Sequence, residues 1–559
     1  MDTSHSPSLH PLARLRELAA LEREDIGAVI AYSVGIGVMS LATPVAVQAL
    51  VNTIAFGALL QPLVVLTLVL LVCLSLNNLL LGVQFYVVEM LQRRLFVRYL
   101  GEAGARLQGV CAAARDRRDV PELVNRFFDV LTVQKAGAVL LLEAVAYLLQ
   151  SFIGMILLAF YHPMLLAFDL FLLGALAFIL LVLGRGGVET AIAQSKAKYA
   201  AVAWLEELAR NPLLGKFADG ESYLAVRTDQ AARGYLDACA NHFRVVMRQN
   251  VGALALHALA GTLLLGMGGW MVIERQLSLG QLIAAELVVG AMIYGLTRLG
   301  KVLDNYYELA AAMDKIGHLL DLPQERGDGA APERAAGPAA VQLRGVTPPQ
   351  GLGREPVAPI DMDIAPGDRL ALTGARLAGL GAVLELLYGL RSPLAGSVRL
   401  DGQDLREIKL NELRRSVALV RDTEIVHGTV LDNLRLGRDI PLPELYTALR
   451  TVGLLEELLA LPDGLNTLLF HHAGPLTQEQ GLRLTLARAI AGRPRLLLLH
   501  RVLDRMDNRV AQTVIPELLR PDAPWTLVTA TNSPAVLAHC GRVGRLDGGR
   551  LTVTEAGHG

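Results

Sequence analysis

Apolar residues run almost unbroken through six stretches of the first half of the chain, near Ile26–Val51, Pro62–Met90, Ala136–Phe160, Met164–Leu183, Val251–Ile273 and Leu279–Leu299. An apolar helix of about 20 residues crosses a bilayer, and each stretch reaches that length. Ahead of them, Pro11–Asp25 is a charged amphipathic stretch carrying Arg14, Arg16 and Arg23, which predicts a helix lying in the membrane interface. Beyond the spans the pattern changes. Gln324–Ala340 is rich in Ala, Gly and Pro and reads as a linker. Short β-like runs, Val341–Val346 and Ile360–Ile364, then open a segment patterned like a soluble domain. The predicted organisation is a polar tail and interfacial helix over 1–25, an all-α transmembrane domain of six helices over 26–322, a linker over 323–340 and an α/β domain over 341–559.

The charges between the spans are unequal. Asn52–Pro62 and Tyr161–Pro163 carry no Lys or Arg, whereas Leu91–Lys135 and Arg185–Asn250 carry nine each. Basic loops stay on the cytoplasmic side, so both long segments and both termini are expected there, in a bacterial-type cytoplasmic (inner) membrane. Both are mainly helix-forming, each with one break: Asp119-Val120-Pro121-Glu122 in the first, Asn211-Pro212 with Gly215 in the second. Helices continuing out of the membrane and turning at these breaks would present short elements to a cytoplasmic domain; ordinary surface loops fit the spacing equally well.

Composition narrows the function classes. The chain has 559 residues, 53% hydrophobic and 19% charged, with a formal net charge of −1. No global field draws it to nucleic acid, and no nucleic-acid partner is expected. Cys73, Cys111, Cys239 and Cys540 are scattered, which fits small apolar residues in a reducing compartment better than a metal site or disulfide framework. His471-His472 has no third ligand nearby, and no metal is expected. The start shows no cleavable signal peptide pattern, and leader cleavage by this chain is not expected.

Chemistry enters at Gly367-Asp368-Arg369-Leu370-Ala371-Leu372-Thr373-Gly374, an apolar strand ending in glycine, followed by Ala375–Ala382 and the helical run Val383–Leu390. Strand, glycine loop and helix make the geometry of a phosphate-binding loop, and Gly374 and Gly379 are spaced as in GxxxxGK[ST]. Further frames follow: Asp401-Gly402, Leu413-Arg414-Arg415, Gly428-Thr429 with Asn433, Leu484–Ile490, Pro494–Leu499 and Asp547-Gly548-Gly549-Arg550. In this order and spacing they resemble an ABC transporter, a half-transporter of the exporter type similar to type I secretion and peptide exporters, over about Pro11 to Gly557. The resemblance implies an α/β P-loop NTPase-like ABC domain behind the spans. It also implies coupling helices near the two breaks, with Pro121, Arg126, Phe127, Phe128, Pro212 and Lys216 as coupling residues.

The positions that the resemblance would make catalytic have changed. Leu380 stands for the loop lysine and Gly381 for the Mg²⁺-binding hydroxyl. Arg421 replaces the glutamine that senses the γ-phosphate region, or Asp422 does if the alignment slips by one. The LSGGQ signature reads Leu476-Thr477-Gln478-Glu479-Gln480, His500-Arg501 stands for Asp-Glu, and Asn532 for the switch histidine. Asp507 keeps its expected identity. ATP brings about four negative charges, to be balanced by Lys, backbone N–H groups and Mg²⁺. Arg501 cannot accept a proton, His500 is more readily structural than basic, and Glu479 would repel a γ-phosphate. The sequence therefore predicts a pseudo-ATPase without ATP or Mg²⁺ of its own, using them only through an intact partner subunit.

Three functions remain open at this point: the inactive half of an ABC exporter beside an intact ABC chain, a non-transporting membrane scaffold or regulator, and an active exporter with atypical site chemistry. The partners expected are membrane lipid, a second ABC half-transporter chain in a hetero- or homodimer and, for a secretion-type role, a periplasmic adaptor protein. Glu143, Asp169 and Glu286 fall within or near the predicted spans. Such acids face a substrate or a proton path, or pack helices together through hydrogen bonds; the second is the more common use.

Overall fold

The structure, a computed structural model, describes residues 11–55, 60–117, 120–217, 219–332, 335–349, 357–374, 377–470 and 474–555. The chain divides into two compact units, one of Met1–Val110 with Arg118–Pro323, the other of Cys111–Arg117 with Gln324–Gly559.

The first unit is helical throughout. Among the described residues, five helical segments are long and apolar enough to cross a membrane: Arg23–Thr53, Gln61–Gln108, Glu122–Tyr161, Pro163–Leu183 and Gly220–Ile273; the apolar helix Leu279–Met292 is shorter. These fall on the six predicted stretches. The second and fifth run well past their apolar parts. Gly220–Ile273 is one helix of 54 residues, about 80 Å at the helical rise. The turn at His162 is set by Pro163, whose missing N–H costs nothing at the first helical position, while the His162 ring accepts from the Met164 N–H at 3.2 Å. Leu158, Leu165, Leu264 and Met271 are fully buried in the central apolar cluster.

The Pro11–Leu21 helix, expected at the membrane interface, packs along Leu299–Leu320. Leu15 and Leu18 lie against the cluster holding Met313 and Ile316, and Arg14 pairs with Asp321.

The second unit is an α/β domain with two sheets. One is antiparallel, in the order β2 (Ile360–Ile364), β1 (Val341–Thr347), β4 (Ala395–Leu400), β5 (Gln403–Asp404). The other has β12 (Arg550–Glu555), β11 (Arg542–Asp547), β3 (Arg369–Gly374), β10 (Thr526–Ala530), β9 (Leu496–His500) and β6 (Val417–Val420), in that order. Its strands run parallel from β11 to β6, with β12 antiparallel at the edge. A parallel sheet needs both faces covered, which is why Leu496–Leu499 and Leu370–Leu372 are continuous apolar runs with no exposed alternation. A small pair, β7 (Gly428–Thr429) with β8 (Leu468–Leu469), completes the strands described.

The stretch expected as a linker is anchored over its first part. Glu325 receives two hydrogen bonds from Arg414, at 2.6 and 2.8 Å, and Arg326 donates to the carbonyls of Leu405 and Ile408.

Candidate functional site

The site is built where β3 ends. Gly374 closes that strand, and a side chain is excluded there because a Cβ would lie 2.7 Å from the Leu546 carbonyl oxygen of β11. The helix Leu377–Leu387 follows. Leu380 lies in it with 1% exposure, in the apolar cluster with Val383, Leu384 and Leu387. Its side chain is therefore part of the core. Burial against the sheet is favoured because an exposed leucine there would forfeit about 1.5–3 kcal/mol.

Gly381 and His500 fit one another. A Cβ at Gly381 would sit 3.1 Å from the imidazole Nε2 of His500, at the end of β9. That nitrogen is buried and has no hydrogen-bond partner among the described residues. Burial, with the positive charges of Arg421 and Arg501 adding to it, pushes the His500 pKa down, so the ring is held neutral. Gly381→Ala is expected to force the ring aside and cost about 1–3 kcal/mol, read as a lower melting temperature of the full chain.

The surrounding loops are tied to each other. The Asn532 side chain folds back on the end of β3: its Oδ1 accepts from Thr373 Oγ1 at 2.7 Å and from the Gly374 N–H at 3.3 Å, while its Nδ2 donates to the Gly374 carbonyl at 3.2 Å. Thr531 donates to Asp504. Arg505 pairs with Asp422 at 2.8 Å. Arg501 adopts a left-handed backbone with φ of +58°, its N–H bonded to the Ala530 carbonyl at 2.9 Å and its side chain exposed. A non-glycine residue in that region of backbone space is uncommon.

Across the domain, Thr477 caps the helix Gln478–Ala491. Its hydroxyl accepts from the Gln480 N–H, and Gln480 Oε1 accepts from the Thr477 N–H at 2.8 Å, a complete capping box. Leu476 is buried and Gln478 exposed. Glu479, in the first turn, places a carboxylate at the positive end of the helix. It lies 3.5 Å from the guanidinium of buried Arg483, and its Oε1 receives the Asp507 N–H at 3.4 Å. The chain thus supplies its own anion to this helix terminus.

An ion-pair chain runs along the base of the site. Asp116 pairs with Arg391 at 2.6 Å, Arg391 with the buried Glu385, and Glu385 with Arg421 at 2.7 Å. All belong to the second unit, which includes Cys111–Arg117. Sequence reasoning passed over Asp116, Glu385, Arg391 and Asp504, since single charged residues at unrelated spacings carry no pattern. Only Asp504, four residues after His500, sat close enough to a motif to be noticed.

Comparison places this arrangement. Over 95% of its length and 95% of the other chain, the protein superposes on a solved structure described as a bacterial Atm1-family ABC exporter with ATP bound, with a TM-score of 0.84 and 20% identity. The fold is that of an ABC exporter. Residues 357–500 match the family model described as ABC transporter. An ATP-dependent lipid A-core flippase of Thiobacillus denitrificans is 30% identical over 50% of this chain and 49% of its own length. A multidrug efflux ATP-binding/permease protein of Mycobacterium bovis is 29% identical over 53% of this chain and 25% of its own. An exotoxin translocation ATP-binding protein of Pasteurella aerogenes is 25% identical over 56% of this chain and 44% of its own. The chain thus spans between a quarter and about half the length of these curated relatives. With its apolar helices, the exporter fold makes this a multi-pass membrane protein.

Within the exporter fold, the residues proposed for coupling lie in the first unit. Pro121 is in the short helix Val120–Asn125. Arg126 pairs with Glu122 at 3.2 Å, Phe127 packs edge-on against Phe96 at 5.6 Å, and Phe128 is exposed. Pro212 and Lys216 are exposed in a turn whose Leu213 and Phe217 are also exposed. His471 and His472 lie outside the described residues.

The acids of the spans part company. Glu143, on a π-helical turn, accepts from Lys301 at 2.9 Å. Glu286 is exposed. Asp169 is 2% exposed, and neither carboxyl oxygen has a partner among the described residues. An unsatisfied buried polar group is costly, so Asp169→Leu is expected to stabilise the protein by about 1–3 kcal/mol, measured as a higher melting temperature in detergent. If Asp169 serves transport, the same variant loses transport while gaining stability.

Proposed function

We propose that this chain is the transmembrane subunit of an ABC-type exporter whose own cassette is a pseudo-ATPase, working as the inactive half beside a catalytically intact ABC partner. One observation carries the reading. The positions required for the loop lysine and the Mg²⁺ hydroxyl are taken up by the protein itself, Leu380 inside the core and Gly381 covered by the His500 ring. The residues present do not fit MgATP: no cation stands at Leu380, no oxygen at Gly381 and no carboxylate at His500 or Arg501. No hydrolytic step is assigned to this loop.

With an intact partner, two composite sites form. One uses this chain's phosphate loop and is inert; the other sets the partner's loop against Leu476–Gln480, which keeps the Thr477 hydroxyl but has Gln478 and Glu479 in place of the glycine approach. Both termini are placed in the cytoplasm, supported by the basic segments on that side. The relatives' printed cargoes range from lipid A-core to exotoxin, so they do not converge on one cargo for this chain. The test is affinity purification of the tagged full chain from its native membrane. Recovery of an ABC chain with an intact lysine and Asp-Glu pair, together with ATPase activity absent from the tagged chain alone, supports the proposal. Recovery without any ABC partner favours a scaffold, and turnover by the chain alone favours an atypical active exporter.

A further inference from the structure

The helices of the first unit line an open cleft of about 510 Å³ to which the exporter reading assigns no ligand. Arg126, Lys196, Lys315 and His318 line it, with Glu122 and the Tyr199 ring. Three cations that are charged at neutral pH therefore meet one carboxylate on its wall. Behind the wall, Asp314 pairs with Lys315 at 3.1 Å and lies 3.6 Å from His318. Glu122 answers Arg126 at 3.2 Å.

The answering carboxylates leave donors over. Arg126 Nε is buried and has no hydrogen-bond partner among the described residues. Lys196 is exposed and is in no ion pair among the described residues. Lys315 is 2% exposed, an ammonium carried almost wholly out of water and bonded to Asp314 at 3.1 Å. Burial pushes its pKa down, Asp314 opposes this, and the charges of Arg126 and Lys196 push it down further. Like charges crowding a concave wall are relieved by an anion, and an unmade charge-assisted hydrogen bond is among the more expensive groups to leave buried.

We infer that this cleft binds the phosphate group of a small cytosolic solute, held by Arg126, Lys196 and Lys315. A phosphate alone underfills about 510 Å³, and the Tyr199 ring with Leu123, Ala200 and Ala203 offers an apolar wall for the body that carries it. Arg126 precedes the predicted span beginning at Ala136 by about 15 Å of helix, which sets the site in the aqueous phase rather than among headgroups.

The experiment is isothermal titration of inorganic pyrophosphate into the full chain in detergent, compared with Lys196→Gln and Lys315→Met. Lys196→Gln changes an exposed side chain, so its melting temperature is expected to stay at the wild-type value while pyrophosphate binds about tenfold more weakly, the equivalent of one charge-assisted hydrogen bond. Lys315→Met is expected to abolish binding. Arg501→Ala, in the cassette, leaves it unchanged. A parallel arm uses phosphatidylcholine nanodiscs with and without phosphatidic acid. Lys196-dependent capture by phosphatidic acid, with none by pyrophosphate, overturns the cytosolic source. Binding that is absent in both arms, or indifferent to Lys196→Gln, overturns the site.

Discussion

Purified alone, the full-length chain is expected to turn over MgATP about 10²–10⁴-fold more slowly than an intact cassette, the loss that follows from removing a positioned general base. The deficit has two independent causes. At the end of β9, His500 is kept neutral by burial and by Arg421 and Arg501, but its Nε2 is closed against Gly381, where no attacking water fits. At the positions expected for the loop lysine and the metal-binding hydroxyl stand Leu380 and Gly381, which offer neither a cation nor a hydroxyl. Restoring only the carboxylates, His500→Asp with Arg501→Glu, is accordingly expected to leave the rate at background, since Leu380 and Gly381 are unchanged. A turnover by the purified chain that disappears when His500 or Leu380 is replaced would falsify the pseudo-ATPase reading.

Leu380→Ala is expected to destabilise the cassette by about 3 kcal/mol, the usual cost of removing a buried leucine and leaving part of the cavity open. In a cassette that had merely lost its lysine, this position would face a vacant loop, and truncation would be nearly silent. Here Leu380 is 1% exposed and packed with Val383, Leu384 and Leu387 under the sheet. Thermal melting of the full chain, followed in the cassette's own transition, distinguishes the two. A shift too small to measure would return Leu380 to the surface and remove the main support for a site filled by its own core.

These expectations depend on contacts that the sequence shows only in outline. Leu380, Gly381, His500, Arg501 and Asn532 stand out because strand, loop and helix patterns frame them, so their positions are legible from the sequence. Their consequences are not. That Asn532 would turn back onto Gly374, or that Glu479 would answer the helix terminus and Arg483, follows from loops meeting across the sheet. The chain Asp116–Arg391–Glu385–Arg421 joins residues scattered over some three hundred positions, and no local pattern announces it.

The same division holds for the membrane unit. Runs of apolar residues are local and additive, since each must satisfy its own backbone hydrogen bonds in lipid, so the six spans could be read one by one. Which polar residues meet inside the bundle depends on how helices rotate against each other. Glu143 finding Lys301, Asp169 finding no partner among the described residues, and the cationic wall around Lys315 are results of packing. By itself the sequence determined which stretches form long apolar helices and that an α/β domain follows them, because these are properties of periodicity and spacing. Only the tertiary structure decided that Leu380 lies in the core and that Gly381 lies against the His500 ring, because burial and hydrogen bonding between distant segments come into being when the segments pack.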